Sequence, residues 1–262
     1  MSAFEADALL EVGVAAARAG GRVLQDWATR FSVREKSCAA DVVTEADFES
    51  QRAIHSSILR EFPDHGFLGE EGLNQASTAS PYRWVIDPLD GTSNYVHGFP
   101  YYAVSIGLEL HGVLVVGIVY DPTRDEMFSA TRGGGAWCNG RRLQVSEVTT
   151  MKQALLVASF PPGSGPETPA VRQFLKVLPQ AQTIQRTGSA AMNLANLAAG
   201  RIDGFWSFSL QPWDVAGGAL LVTEAGGKIT KTGGSPLQIE VSDMLASNGT
   251  ALHGKLIEAL CQ

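Results

Sequence analysis

Three kinds of feature are scarce or missing from this 262-residue chain, and each absence removes a class of protein. Cysteine occurs only as Cys38, Cys138 and Cys261, far apart and odd in number. With no C-x-x-C pair, neither a zinc site nor a disulfide framework is indicated, and reduced cytosolic thiols are expected. Basic residues are outnumbered, 20 against 27 acidic, for a net charge of −7. That balance argues against nucleic acid as the main ligand. No apolar run approaches the ~20 residues of a membrane span. Instead of a basic region before an apolar leader, the N-terminus has Glu5, Asp7 and Glu11. The expectation is a cytoplasmic protein that does not enter a membrane. Internal repeats and low-complexity tracts are also lacking. Gly133-Gly134-Gly135 lacks the Lys-Ser/Thr of a nucleotide loop and reads as a structural loop.

What is present is an apolar content of 45%, enough for a sizeable core in one large domain or two closely packed halves. Residues 3–29 and 46–61 have helical periodicity. From Ala103 to Leu143 the pattern changes to strands: Val104, Ile106, Leu108 and Leu110 alternate, His111-Gly112 turns, and Val113 to Tyr120 returns. After residue 150 strand-like and helical segments alternate: 155–159, 167–178, 181–186, 189–199, 203–209, 214–225, 227–231 and 249–261. The reading is an α+β half with an antiparallel sheet over 1–145 and an α/β half over 146–262. Pro161 to Pro166 reads as a surface loop.

The densest chemistry lies in Asp87-Pro88-Leu89-Asp90-Gly91-Thr92-Ser93-Asn94. Trp84-Val85-Ile86 reads as a buried strand, expected to end near Asp87 because Pro88 cannot continue a ladder. Carboxylates at a strand's carboxyl end face the crevice where α/β sheets bind ligands. Such oxygen donors suit Mg²⁺, and the Leu89 carbonyl can turn inward as a neutral one. Gly91 permits close backbone approach, and Thr92 and Ser93 open a helix whose free N–H groups favour phosphate. A capped Asp-Gly turn would show much the same pattern. Three further segments shift the balance. Glu70 sits in Gly-Glu-Glu-Gly, 17 residues before Asp87. Asp214 opens Trp-Asp-Val-Ala-Gly-Gly at 213–218, where small residues describe a tightly packed helix entrance. Asp41 to Asp47 precedes the helix at 46–61, so Thr44 and Asp47 can form a capping pair.

Together, Gly-Glu-Glu at 69–71, Asp-Pro-Leu-Asp-Gly-Thr-Ser-Asn at 87–94 and Trp-Asp-Val-Ala-Gly-Gly at 213–218 resemble the inositol monophosphatase family. These are lithium-sensitive, Mg²⁺-dependent phosphatases related to fructose bisphosphatases, and the similarity runs from Lys36 to Gly227. The resemblance implies an αβαβα sandwich, a homodimer, two to three Mg²⁺ ions and inhibition by Li⁺. It implies one ion on Glu70, Asp87 and the Leu89 carbonyl, and a second on Asp87, Asp90 and Asp214. It implies a metal-activated water oriented by Glu70 and Thr92, with Asp47 bonded to Thr92, and Gly91 and Thr92 holding phosphate oxygens. Lys36 matches a loop lysine that steers phosphate.

The alcohol side corresponds to Ser189 and Ala190, together with Asp90 and Asp214. Gln211 and Pro212 lie beside it. Ser207 stands six positions before Trp213, where many inositol phosphatases have a carboxylate, so tight selection for inositol is in doubt. The leading reading is hydrolysis of inositol 1-phosphate or a related small polyol phosphate. Histidinol phosphate, a sugar phosphate or a nucleotide 3′-phosphate is the alternative. A reading from another class is a partner of the transcription machinery with secondary phosphatase activity.

Overall fold

A computed structural model describes residues 3–36, 42–161 and 163–261. Cys38, Asp41 and Pro162, used in the readings above, lie outside them. The first helix, α1 (Ala3–Trp27), is followed by the short pair β1 (Val33–Glu35) and β2 (Val42–Thr44), then by α2 (Glu45–Glu61). Next come β3 (Gly66–Gly69), β4 (Asn74–Gln75), β5 (Tyr82–Asp90) and α3 (Thr92–Val96). A meander follows: β6 (Ala103–Leu110), β7 (Val113–Asp121), β8 (Glu126–Thr131), β9 (Gly135–Cys138) and β10 (Arg141–Arg142). The remainder is β11 (Leu155–Ser159), α4 (Pro169–Val177), β12 (Thr183–Gln185), α5 (Ala190–Ala198), β13 (Gly204–Ser207), α6 (Pro212–Glu224), β14 (Lys228–Thr230), β15 (Met244–Ser247) and α7 (Leu252–Cys261).

The strands form an eight-stranded sheet, order β10-β9-β8-β7-β6-β5-β3-β4, and a five-stranded sheet, order β12-β11-β13-β15-β14. Helices α1 and α2 bury Leu9, Leu24, Ile54 and Ile58 against one face of the large sheet, beside Trp84, Ile86 and Ile106. Each such side chain contributes about 1.5–3 kcal/mol by leaving water. Helices α5 and α6 fill the space between the sheets, where Val85, Val119, Leu194 and Leu221 meet Val157, Phe205 and Ala246. Helix α7 covers the outer face of the small sheet through Leu252 and Leu256, with Val177 from the end of α4. The architecture is the layered αβαβα sandwich. Both sheets lie between helical layers, so β6 is buried on both faces rather than on alternate residues. Although α5 and α6 come late in the chain, they pack on the early sheet, so the two halves share the central layer.

Two expectations need correction. The strand expected at Trp84-Val85-Ile86 does not stop near Asp87: it starts at Tyr82 and runs to Asp90, with a register irregularity between Asp87 and Asp90. Pro88 lies in that irregularity, where its missing N–H breaks no ladder bond. In the second half, β15 went unforeseen. It pairs antiparallel with both β13 and β14, which makes the small sheet mixed. Among the described residues, no helix is long and apolar enough to cross a membrane.

Candidate metal and phosphate site

Asp87, Asp90 and Asp214 converge. Each offers a carboxylate oxygen, and the three oxygens lie within 4.8 Å of one another. Asp87 and Asp90 stand on either side of the irregularity at the end of β5, and Asp214 stands in the first turn of α6. Local geometry explains their aim. Asp87 Oδ1 accepts the Leu89 N–H at 3.0 Å, which bends the strand around Pro88. Asp214 Oδ2 accepts the Gln211 N–H at 2.8 Å as part of a capping box. Ser105 pairs with Asp87 across β5 and β6, and its hydroxyl donates to the Trp213 carbonyl at 3.2 Å. That bond ties the start of α6 to the strand position opposite Asp87.

The close approach of α6 depends on small residues, as the segment Trp213 to Gly218 suggested. A Cβ on Gly217 would come within 2.6 Å of the Ile118 carbonyl oxygen, and one on Gly218 within 2.4 Å of Leu194. At Gly91 the backbone has φ +102°, in the left-handed region, and opens α3 without a side-chain cap. A Cβ there would stand 3.0 Å from the Tyr101 carbonyl oxygen.

The electrostatics are those of a cation site. Burial pushes the Asp87 carboxyl well above the usual range, and the Glu70, Asp90 and Asp214 charges push it further. Asp214 is raised by burial and then chiefly by Asp90. Burial lifts Asp90 to about 6, against the pull of hydrogen bonds from Ser189, Ala191 and Ala190. Among the described residues, no Lys, Arg or His forms an ion pair with any of the three. Clustered carboxylates with no such ion pair form a hard oxygen donor set of the kind Mg²⁺, Ca²⁺ and Mn²⁺ take.

The other sequence-derived residues fall around this cluster. Thr92 Oγ1 donates to Asp47 Oδ1 at 3.1 Å and has a second acceptor in the Leu89 carbonyl at 3.2 Å. Asp47 also accepts the Thr44 N–H at 2.8 Å and the Thr44 hydroxyl at 2.7 Å through Oδ2. It therefore closes the capping box of α2 and reaches Thr92 with its other oxygen. Burial raises the Asp47 carboxyl although the Thr44 bonds oppose this. Glu70 stands outside the converging trio. Its Oε1 receives the Lys36 ammonium at 2.9 Å, which also holds Glu71 at 2.6 Å. Burial works against the charged Lys36, but Glu70 and Glu71 outweigh it and keep the ammonium protonated.

The alcohol-side residues are already engaged. The Ser189 hydroxyl and the Ala191 N–H each reach Asp90 Oδ2 at 2.6 Å, and the Ala190 N–H also acts on Asp90. Ser207 is fully buried, and its hydroxyl accepts the Ser209 N–H at 3.4 Å. As placed, it offers a ligand no surface. Asn94, the last residue of the octapeptide, has a structural task that the motif alone does not reveal. Its Nδ2 donates to the Tyr101 carbonyl at 2.7 Å and the Thr187 carbonyl at 2.9 Å, joining α3 to the segment that leads into Ser189. Ser105, a small polar residue inside β6, gives no local signal of its bond to Trp213.

Residues 5–262 match the model of the inositol monophosphatase family. The chain is 38% identical over 249 residues to an inositol-1-monophosphatase of Synechocystis, covering 92% of this chain and 84% of that protein. It is 40% identical over 248 residues to the Nus factor SuhB of Pseudomonas aeruginosa, covering 92% and 91%. In three dimensions it matches the extragenic suppressor protein suhB of Bartonella henselae with a TM-score of 0.91 at 38% identity, covering 97% and 98%. It matches an inositol monophosphatase of Anabaena with a TM-score of 0.87, also at 38% identity, covering 98% and 96%. A carboxylate cluster carried on this sandwich, matched over nearly the full length, makes this chain a member of the inositol monophosphatase family.

Proposed function

We propose that this chain hydrolyses inositol 1-phosphate or a related small polyol phosphate, with two to three Mg²⁺ ions as its resident cofactor and Li⁺ as an inhibitor. As a member of the family it is a phosphoric monoester hydrolase. The observation that carries the reading is the convergence of Asp87, Asp90 and Asp214, none of them ion-paired to a Lys, Arg or His among the described residues. Glu70, Asp87 and the Leu89 carbonyl would hold one ion, and Asp87, Asp90 and Asp214 another. Ions bound there supply Lewis-acid charge for phosphoryl and leaving-group oxygens and lower the pKa of water.

The chain's own groups have separate tasks. Asp47 holds the hydroxyl proton of Thr92, which leaves a Thr92 lone pair to orient an incoming water. Burial raises the Asp47 carboxyl, while the Thr44 and Thr92 bonds favour the ionised form that accepts them. The N–H groups at Gly91 and Thr92 face no side-chain cap and are available to phosphate oxygens. Ser189, Ala190 and Ala191 hold Asp90 in place at the start of α5. Lys36 brings positive charge to Glu70 and Glu71, within reach of a substrate anion.

A panel of phosphate esters assayed with Mg²⁺, with and without Li⁺, tests the reading. Inositol 1-phosphate should be turned over faster than glycerol 2-phosphate. Equal rates would overturn the inositol assignment and leave histidinol phosphate, sugar phosphates and nucleotide 3′-phosphates as candidates. The same reading has the protein acting in the cytoplasm as a homodimer, with light scattering as the check on its state.

The Nus factor name of the Pseudomonas relative supports a second reading, a partner of the transcription machinery. Loss of a cellular phenotype in Asp87→Asn protein that still binds its partners would exclude a purely scaffolding role.

A further inference from the structure

We propose that Ser50 and Gln51 are positioning residues of the site: from the face of α2 that carries Asp47 they fix the Pro88 carbonyl and the Glu71 backbone, and through these the donors of Asp87, Leu89 and Glu70. The proposal rests on the metal reading above and goes beyond the family's carboxylates.

Residues 47, 50 and 51 are spaced i, i+3 and i+4, so they share one helix face. Each reaches a different segment of the site. Asp47 takes the Thr92 hydroxyl at 3.1 Å. Ser50 Oγ donates to the Pro88 carbonyl at 2.9 Å, inside the irregularity that separates Asp87 from Asp90. The Gln51 amide closes a two-point clamp on Glu71: Nε2 donates to the Glu71 carbonyl and Oε1 accepts the Glu71 N–H, both at 3.1 Å. Glu70 is thus held between a clamped neighbour and its own N–H bond to the Ile86 carbonyl at 3.3 Å.

The polar identity of these two positions calls for this role. Ser50 is fully buried and Gln51 is 8% exposed. The continuation of the same stripe is apolar, with Ile54 and Ile58 packed on α1 and the sheet. Apolar residues at 50 and 51 would serve packing equally well, since a buried polar group must find a partner. Their partners are backbone groups of the two segments that carry the oxygen donors. From behind, α1 leaves no slack: a Cβ on Gly20 would lie 2.9 Å from Ser50 Oγ and 2.7 Å from Ile54 Cδ1. On the front, one on Gly69 would lie 2.5 Å from Gln51 Oε1. Helix α2 therefore registers three site segments from one rigid element.

The test titrates Mn²⁺ alone into metal-free full-length protein, followed by electron paramagnetic resonance, for the parent, Ser50→Ala, Gln51→Leu and Ile54→Val. Outer-shell partners of metal ligands typically govern affinity by about 10–100-fold. Ser50→Ala and Gln51→Leu should each weaken Mn²⁺ binding within that range. The Mg²⁺ concentration for half-maximal activity should rise in step, while kcat recovers at saturating Mg²⁺. Ile54→Val, on the same stripe, should lower Tm and leave Mn²⁺ affinity unchanged. Parent-like affinity in both polar variants, with only Tm reduced, overturns the proposal. If Gln51→Leu loses its fold, Ser50→Ala decides alone. A parent that binds Mn²⁺ but hydrolyses no ester would end the phosphatase reading, and the affinities would still judge this one.

Discussion

Ser189 Oγ lies 2.6 Å from Asp90 Oδ2, although the two residues are 99 positions apart. The same hydroxyl accepts the Met192 N–H at 3.2 Å as the cap of α5. One side chain thus starts a helix of the later half and orients a carboxylate of the earlier half. Asp90 also gains from lying at a helix N-terminus, where the dipole favours an anion.

Ser189→Ala should therefore act through Asp90. Losing the cap and the bond to a carboxylate should cost about 1–2 kcal/mol of stability, read by urea denaturation. Turnover should fall by the same factor on every phosphate ester tried. A changed ratio between esters would instead give the hydroxyl a direct contact with the departing alcohol.

Asp214→Asn should separate stability from activity. An amide there can still accept the Gln211 N–H and point its NH₂ at the cluster, removing one like charge. In EDTA at neutral pH the variant should melt a few degrees higher than the parent, since ~1 kcal/mol shifts Tm by about 2–4 °C in a domain of this size. The gap should close as pH falls. Asp214 is raised in the folded state, so its charge penalises folding above that raised pKa, and the penalty vanishes on protonation toward the unfolded carboxylate value. Mg²⁺ should stabilise the variant less than the parent, since one of the two ions loses a ligand, and activity should drop beyond the about 10–100-fold typical of outer-shell changes. A variant with near-normal Mg²⁺-dependent turnover would remove Asp214 from the metal site.

Gly217→Ala tests whether α6 must lie this close to the sheet. The added methyl meets the Ile118 carbonyl oxygen and Ser105 Oγ, both at 2.6 Å; the hydroxyl can rotate at the loss of its Trp213 bond, but the backbone oxygen cannot yield cheaply. Overpacking of this kind costs about 1–3 kcal/mol. The helix should shift outward and carry Asp214 with it, so Mn²⁺ affinity should fall together with Tm. Loss of Tm alone would show that the helix start does not depend on this contact.

The architecture was legible where the pattern was long and local. Helices α1, α2, α5 and α6 and the meander β6–β8 follow from periodicity and turn residues. Pro88 misled because one residue type has two uses: it ends a ladder, or it occupies a position where the ladder is already broken. Only the register with β6, set by tertiary pairing, decides between them. The four-residue β15 has no alternation to find, since all of it is buried. At the site, Asp87, Asp90 and Asp214 were visible as motifs, and their convergence confers the donor set. The engagement of Glu70 by Lys36, and of Ser189 by Asp90, was not visible. Both are contacts between distant segments, and no local rule encodes which of several partners a hydroxyl or an ammonium takes.

His253 supplies a pH prediction far from the carboxylates in sequence. The Thr230 hydroxyl donates to the Lys231 carbonyl at 2.7 Å, so at 3.0 Å it can only accept from His253 Nε2. Ser247 Oγ accepts the Gly249 N–H at 3.2 Å and is free to donate to Nδ1 at 2.8 Å. This network assigns the neutral ring with its proton on Nε2. A second proton on Nδ1 would face a donor. Burial, with Lys228 adding to it, depresses the folded pKa to about 4. An unfolded histidine titrates near 6.5. Between those values the unfolded chain binds the extra proton and the folded chain does not. The stabilising contribution is therefore full above about 6.5 and is lost as pH falls toward 4. Its full size is about 3 kcal/mol, from the spacing of the two pKa values, and most of it is lost by pH 4.5. Urea denaturation in EDTA at pH 7 and pH 4.5 should show that loss in the parent and a correspondingly smaller one in His253→Gln. Equal losses in the two proteins would mean that His253 is protonated in the folded state and that the Ser247 hydroxyl points elsewhere.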